Sequence, residues 1–227
     1  MAEISVLCWS DIADKFETRP YHSEAYKKRY PQGISSAIAL FLNKQKDIYA
    51  EFENKKNDLI NNLDKYNVLI VWAHGGSHNK YPWDNNIPNL VKTNNLGLIV
   101  MHSFWNFSQW PETNKLTGVL SNIGKVCEDT EIKITPSNVS HPILNQIKTY
   151  SIFDEIYFGP FEFEQDVIHL VTGHGANEKS PFAWARTVDK GRVCYIQPGH
   201  ETNESLYNED LQQLIINAVR WVNPHAI

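Results

Sequence analysis

Unbroken apolar runs, rather than alternating ones, punctuate the first half of this chain. Residues 4–9, 67–73 and 96–101 place Val, Ile, Leu, Cys, Trp and Met at nearly every position. This is how parallel strands read when both of their faces are covered. Between the first two runs, Ile34, Ala37, Ile38, Phe41 and Leu42 recur at helical spacing, with Ser35 and Ser36 near the start, and predict an amphipathic helix. Residues 10–32 are polar with scattered aromatics and predict a loop. A weak strand at 48–50, a short helix at 58–63 and a helix at 86–93 complete a strand-helix alternation.

From residue 131 the rhythm changes. Short strands are predicted at 132–134, 156–158, 167–171, 182–186 and 192–196, separated by Gly, Pro and Asn. Leu211, Leu214, Ile215, Ala218, Val219 and Val222 then form the stripe of a C-terminal helix. The pattern predicts an α/β fold, flavodoxin-like and doubly wound. Its mostly parallel sheet carries helices on both faces and a short antiparallel β extension. At 227 residues, with no repeat and no low-complexity linker, residues 1–227 are expected to form a single domain.

Charge narrows the partners. The net charge is −5, and the basic clusters Lys27-Lys28-Arg29 and Lys55-Lys56 are short. Neither nucleic acid nor an anionic membrane surface is therefore an expected partner. No apolar stretch approaches the roughly 20 residues of a membrane span. The first strand starts within a few residues of Met1, which leaves no room for a secretory signal, so a cytoplasmic location is expected. Cys8, Cys127 and Cys194 form no C-x-x-C pair and suit no disulfide framework. Exposed aromatic loops point weakly to a homo-oligomer.

The candidate chemistry lies at strand ends. His74 follows one apolar run and precedes Gly75-Gly76, His102 closes another, and His200 follows a third across Pro198-Gly199. In open α/β sheets ligands bind beyond the carboxyl ends of the strands, and Gly199 lets the chain turn there without a Cβ penalty. The ordinary alternative is that each histidine caps its strand by bonding a loop carbonyl. His74, His102 and His200, with Asp154, Glu155 and Glu201, supply the imidazoles and carboxylates of general acid and base catalysis. The same residue types suit a divalent metal such as zinc, although their long-range spacing does not show convergence. Trp72, Trp83, Trp105 and Trp110 crowd the first two histidine-bearing ends. Tryptophan packs on the apolar face of a pyranose, so Trp72 and Trp105 are candidate contacts to a small-molecule carbohydrate.

Several segments in order resemble the ThuA-like, or trehalose-utilisation, family. They are Tyr30-Pro31-Gln32-Gly33-Ile34, residues 68–74, residues 96–103, His141-Pro142-Ile143, Asp154-Glu155-Ile156-Tyr157, Phe182-Ala183-Trp184-Ala185-Arg186, residues 190–201, and Asn217-Ala218-Val219-Arg220-Trp221. The resemblance implies a flavodoxin-like scaffold related to class I glutamine amidotransferases. It adds Tyr157 and Arg186 to Asp154 and Glu201 as candidate substrate-binding residues. It leaves His74, His102, Glu155 and His200 as the candidate catalytic set.

Where the amidotransferases carry a nucleophilic cysteine after a central strand, this chain has Met101-His102-Ser103, so no glutaminase activity is expected. Phe104-Trp105-Asn106-Phe107 and Phe158-Gly159-Pro160 depart from the family's bacterial branch, which has a second histidine and a Gly-Glu pair there. The implied function is carbohydrate catabolism. It would be acid/base chemistry on a disaccharide or keto-glycoside, metal-assisted or not, by hydrolysis, elimination or isomerisation. The alternative is a non-catalytic sugar-binding or regulatory protein on the same scaffold.

Overall fold

The computed structural model of the chain describes residues 3–10, 20–53, 62–73, 86–102, 111–121 and 123–226. In chain order the elements are β1 (Ile4–Ser10), α1 (Pro20–Arg29), α2 (Ile34–Leu42), β2 (Ile48–Glu53), β3 (Val68–Ala73), α3 (Ile87–Lys92), β4 (Gly97–His102) and α4 (Pro111–Thr117). They continue with β5 (Lys125–Pro136), β6 (Tyr150–Phe158), β7 (Ile168–Gly175), β8 (Glu178–Val188), β9 (Gly191–Ile196) and α5 (Glu209–Val222). Among the described residues, nine strands join one sheet in the order β2-β1-β3-β4-β9-β8-β7-β5-β6. The block from β2 to β9 is parallel, and β8, β7, β5 and β6 extend it antiparallel.

Every residue of β3 and β4 is buried. Their alternate side chains feed two cores, as expected for strands covered on both faces. Val68, Ile70, Trp72, Ile99 and Met101 pack with residues of α2 and α5. Leu69, Val71, Leu98 and Val100 pack with Ile87 and Val91 of α3 and Leu116 of α4. Close approach of helix ends to the sheet requires glycine at two strand starts. A Cβ on Gly97 would lie 2.2 Å from the Val222 carbonyl oxygen, and one on Gly191 would lie 1.8 Å from that of Val91.

Two expectations need correction. The loop predicted over 10–32 contains α1, which over residues 24–29 buries only Tyr26 and whose sequence lacks the apolar stripe by which helices are read. Its signals are terminal instead, a proline at its start and Lys27, Lys28 and Arg29 in its last turn, where cations favour the helix dipole. The short helix predicted at 58–63 falls mostly on residues 54–61, outside the described residues, and Leu63–Lys65 forms one 3-10 turn. The antiparallel extension is present with longer strands than the pattern suggested, β5 reaching 12 residues and β8 reaching 11.

Register brings the candidate residues level. Ala73 pairs with His102 across β3 and β4, and Met101 pairs with Ile196 across β4 and β9, so three strands finish along one line. The extension curls back to this line. Ser180 of β8 donates its hydroxyl to the Tyr157 carbonyl of β6, and the Tyr157 N–H donates to Gln197 just beyond β9.

Candidate active site

His102, Glu155, His200 and Glu201 converge at this line, each no more than 5% exposed. His102 is the last residue of β4 and adopts φ 60, a left-handed conformation that non-glycine residues avoid unless their surroundings hold them there. Two contacts hold it. The Tyr195 hydroxyl donates to the His102 carbonyl at 2.6 Å, and the Trp72 indole stacks flat on the imidazole, with centroids 5.2 Å apart and planes 3° from parallel. The Tyr157 hydroxyl lies 3.2 Å from both ring nitrogens, within reach of either tautomer.

The loop carrying His200 and Glu201 is pinned from several elements. The Gly199 carbonyl accepts from the Trp72 indole at 2.8 Å. Asp154 of β6 accepts from the Gly199 N–H at 2.7 Å and from the His200 N–H at 3.0 Å, and also from its neighbour Glu155. The Asn203 carbonyl accepts from the hydroxyl of Tyr30, the residue directly after α1. Gly199 itself sits at φ +118, which suits a residue without a side chain. Burial drives the Asp154 carboxyl up to about 6, and the Ser205 side chain, with the backbone N–H donors, pulls it part of the way back.

The charged groups then face one another. Glu155 reaches from β6 with one carboxylate oxygen 3.9 Å from His102 Nε2 and the other 3.5 Å from His200 Nε2. The Glu201 carboxylate lies 3.7 Å from the same His200 nitrogen. The two imidazoles meet edge to face at 5.3 Å. On the far side of its ring, His200 Nδ1 bonds Thr202 Oγ1 at 2.7 Å. Buried ionisable groups cost several kcal/mol each unless paired, so a cluster of four suits a functional site better than a stabilising one. Ligand atoms of His102, His200 and Glu201 lie within 4.8 Å of one another, so among the described residues these three are placed to hold a metal ion.

The structure thus unites His102, Glu155 and His200 of the candidate catalytic set; His74 lies outside the described residues, as does Trp105. Glu201 stands among the reacting groups. Tyr157 touches His102. Three candidates for substrate contact are placed by the structure as follows. Trp72 is fully buried, with its N–H given to Gly199 and a face to His102, so it supports the site instead of forming an open sugar platform. Asp154 is fully buried and spends both carboxylate oxygens on backbone N–H groups, so it positions the loop. Arg186 of β8 pairs with Asp166 at 3.0 Å and donates to the Lys115 carbonyl, away from Asp154 and Glu155.

Sequence reasoning passed over Tyr195, Thr202 and Tyr30. Thr202, two residues after His200, had a local signal, since hydroxyl side chains commonly bond groups two positions away. Tyr195 and Tyr30 lay within segments that carry the family resemblance, without a local sign of their bonding roles.

The sequence model of the ThuA family, described as trehalose utilisation, matches residues 7–222. No curated protein sequence matches the chain. Among solved structures, a putative ThuA-like protein from Parabacteroides merdae superposes with a TM-score of 0.70 at 14% identity, over 97% of this chain and 90% of its own. A protein from Salmonella typhimurium described as cytoplasmic gives 0.62 at 13% identity, over 83% and 86% of the two chains. A glutamine amidotransferase from Thermotoga maritima gives 0.54 at 9% identity, over 96% and 99%. At these identities the structural likeness speaks for the α/β fold.

Proposed function

The chain belongs to the trehalose-utilisation family, and from that premise we propose that it is an enzyme of carbohydrate catabolism acting on keto-glycosides by acid/base chemistry. The observation that carries this reading is the Glu155 carboxylate, buried between His102 and His200 at 3.9 and 3.5 Å. A carboxylate so placed is the proton acceptor for a carbon beside a ketone. The electron pair of the broken C–H bond passes into the enolate, whose negative oxygen needs positive charge or hydrogen-bond donors nearby. The two imidazole edges supply that side of the site. Protonated Glu155 then returns the proton, to the leaving oxygen in an elimination or back to carbon in an isomerisation.

Both outcomes begin with the same proton removal, so exchange of that proton with solvent tests them together. Incubation in heavy water with a panel of 3-keto disaccharides and keto-glycosides is expected to introduce deuterium at the carbon beside the ketone. The Glu155→Gln variant is expected to lose this exchange while remaining folded. Absence of exchange by the native protein across the panel overturns the reading.

A further inference from the structure

We propose that His102, His200 and Glu201 hold a divalent transition-metal ion, with Glu155 left uncoordinated beside it; this deepens the acid/base reading and rests on it for the role of the ion. Four observations carry the site. The first is geometric. Three donor atoms no more than 4.8 Å apart surround a point about 2.8 Å from each at the widest, against zinc–ligand bonds of about 2.0–2.2 Å. Side-chain torsions of a fraction of an ångström per ligand close the difference.

The second is the donor set. Two imidazoles and one carboxylate are three protein ligands, the number that leaves a position open for water or substrate in a catalytic site. Imidazole with carboxylate suits zinc and its first-row neighbours better than calcium or magnesium, which prefer oxygen alone.

The third is support. His200 Nδ1 meets Thr202 Oγ1 at 2.7 Å and the Thr202 N–H at 3.3 Å, so Nε2 is the nitrogen that faces the acidic groups. Metal-bound imidazoles characteristically have such partners on the opposite nitrogen, which fix tautomer and ring orientation.

The fourth is charge. With neutral imidazoles, the buried carboxylates of Glu155 and Glu201 bring two negative charges into a site of 5% exposure or less. A divalent ion balances them.

Such an ion supplies the positive charge that an enolate oxygen requires, by binding the ketone oxygen of the substrate at its open position. Glu155, 3.5 Å from His200 and outside the coordinating set, takes the proton. Residues on the outer side of the ligands, Thr202 above all, then become positioning residues for the metal.

The test uses the full chain, stripped by dialysis against a chelator and titrated with Co²⁺ and with Zn²⁺ alone. One equivalent per chain is expected, with visible Co²⁺ bands of low coordination number that Zn²⁺ abolishes by competition. Loss of an outer partner from a metal-bound histidine typically weakens binding by about 10–100-fold. Thr202→Val is therefore expected to fall in that range and Glu201→Gln beyond it, while Glu155→Gln retains the full equivalent. Folding of each variant is verified by circular dichroism. Absence of stoichiometric binding by the native protein overturns the inference, as does binding indifferent to Glu201→Gln. Solvent exchange separates the two proposals. Exchange by a protein that binds no stoichiometric metal leaves the acid/base reading standing and removes the metal, whereas stoichiometric metal without exchange does the reverse.

Discussion

Replacing Asp154 by Asn is the sharpest probe of how this site is built. In the native chain both carboxylate oxygens accept backbone N–H groups, from Gly199 on one side and from His200 and Glu155 on the other. An amide offers one oxygen only, so its NH₂ must face an N–H. Leaving a buried donor without an acceptor costs about 1–3 kcal/mol. A protonated carboxyl does not suffer this conflict, because its hydroxyl oxygen still accepts.

The pH dependence gives the argument a second handle. Burial raises the Asp154 carboxyl from 3.8 to about 6 in the folded protein, a difference worth about 3 kcal/mol. The folded state binds the proton more tightly than the unfolded one. The stability this group contributes is therefore fully present below its unfolded value and is lost as pH rises through about 6. The Asn variant lacks that titration. Subtracting its unfolding free energy from that of the native protein cancels most other groups. The difference is expected to shrink by about 2 kcal/mol between about pH 4.5 and 7.5. Urea unfolding of both proteins across this range, followed by tryptophan fluorescence, measures it. A difference that is constant with pH, or that widens as pH rises, refutes the reasoning.

Other perturbations test other joints. Trp72→Phe removes the donor to the Gly199 carbonyl and is expected to cost about 1–3 kcal/mol in chemical unfolding, since that buried acceptor is orphaned. Gly97→Ala drives a methyl group to 2.2 Å from the Val222 carbonyl; an overpacking cost of about 1–3 kcal/mol or more is expected, visible as a lowered Tm. Asp47 is held below its ordinary range by the two-point bond from Arg220. Its contribution is present above the unfolded value and lost as pH falls through the folded one. With the pair 39% and 22% exposed, Asp47→Asn should cost no more than about 1 kcal/mol at neutral pH, measured by urea unfolding, and less in high salt.

The parallel half of the fold was legible because strands covered on both faces admit almost nothing but apolar residues, as β3 and β4 show. Their histidine ends were legible for the converse reason: a polar residue closing such a run stands out. The acidic pair was half legible. Asp154 and Glu155 fit a solvated turn by local pattern, yet they lie inside β6, and the N–H groups that make burial of Asp154 tolerable come from a loop some 45 positions away in sequence. No local window contains that information. Trp72 shows the same limit, because an indole beside a candidate site reads equally as platform or as brace. Only the bond to Gly199 and the stacking on His102 decide between them. The pairing of Arg186 was not legible either, since its partner Asp166 lies 20 positions earlier in a stretch with no motif.

The account turns on Glu155 as a proton acceptor in a working site. The direct measurement is deuterium incorporation from heavy water into keto-glycosides, native protein against Glu155→Gln, with calorimetric binding of the same compounds recorded in parallel. The account predicts incorporation beside the ketone by the native protein, its loss in the variant, and binding by both. Binding by both proteins with no incorporation by either contradicts it and identifies the chain as a sugar-binding protein.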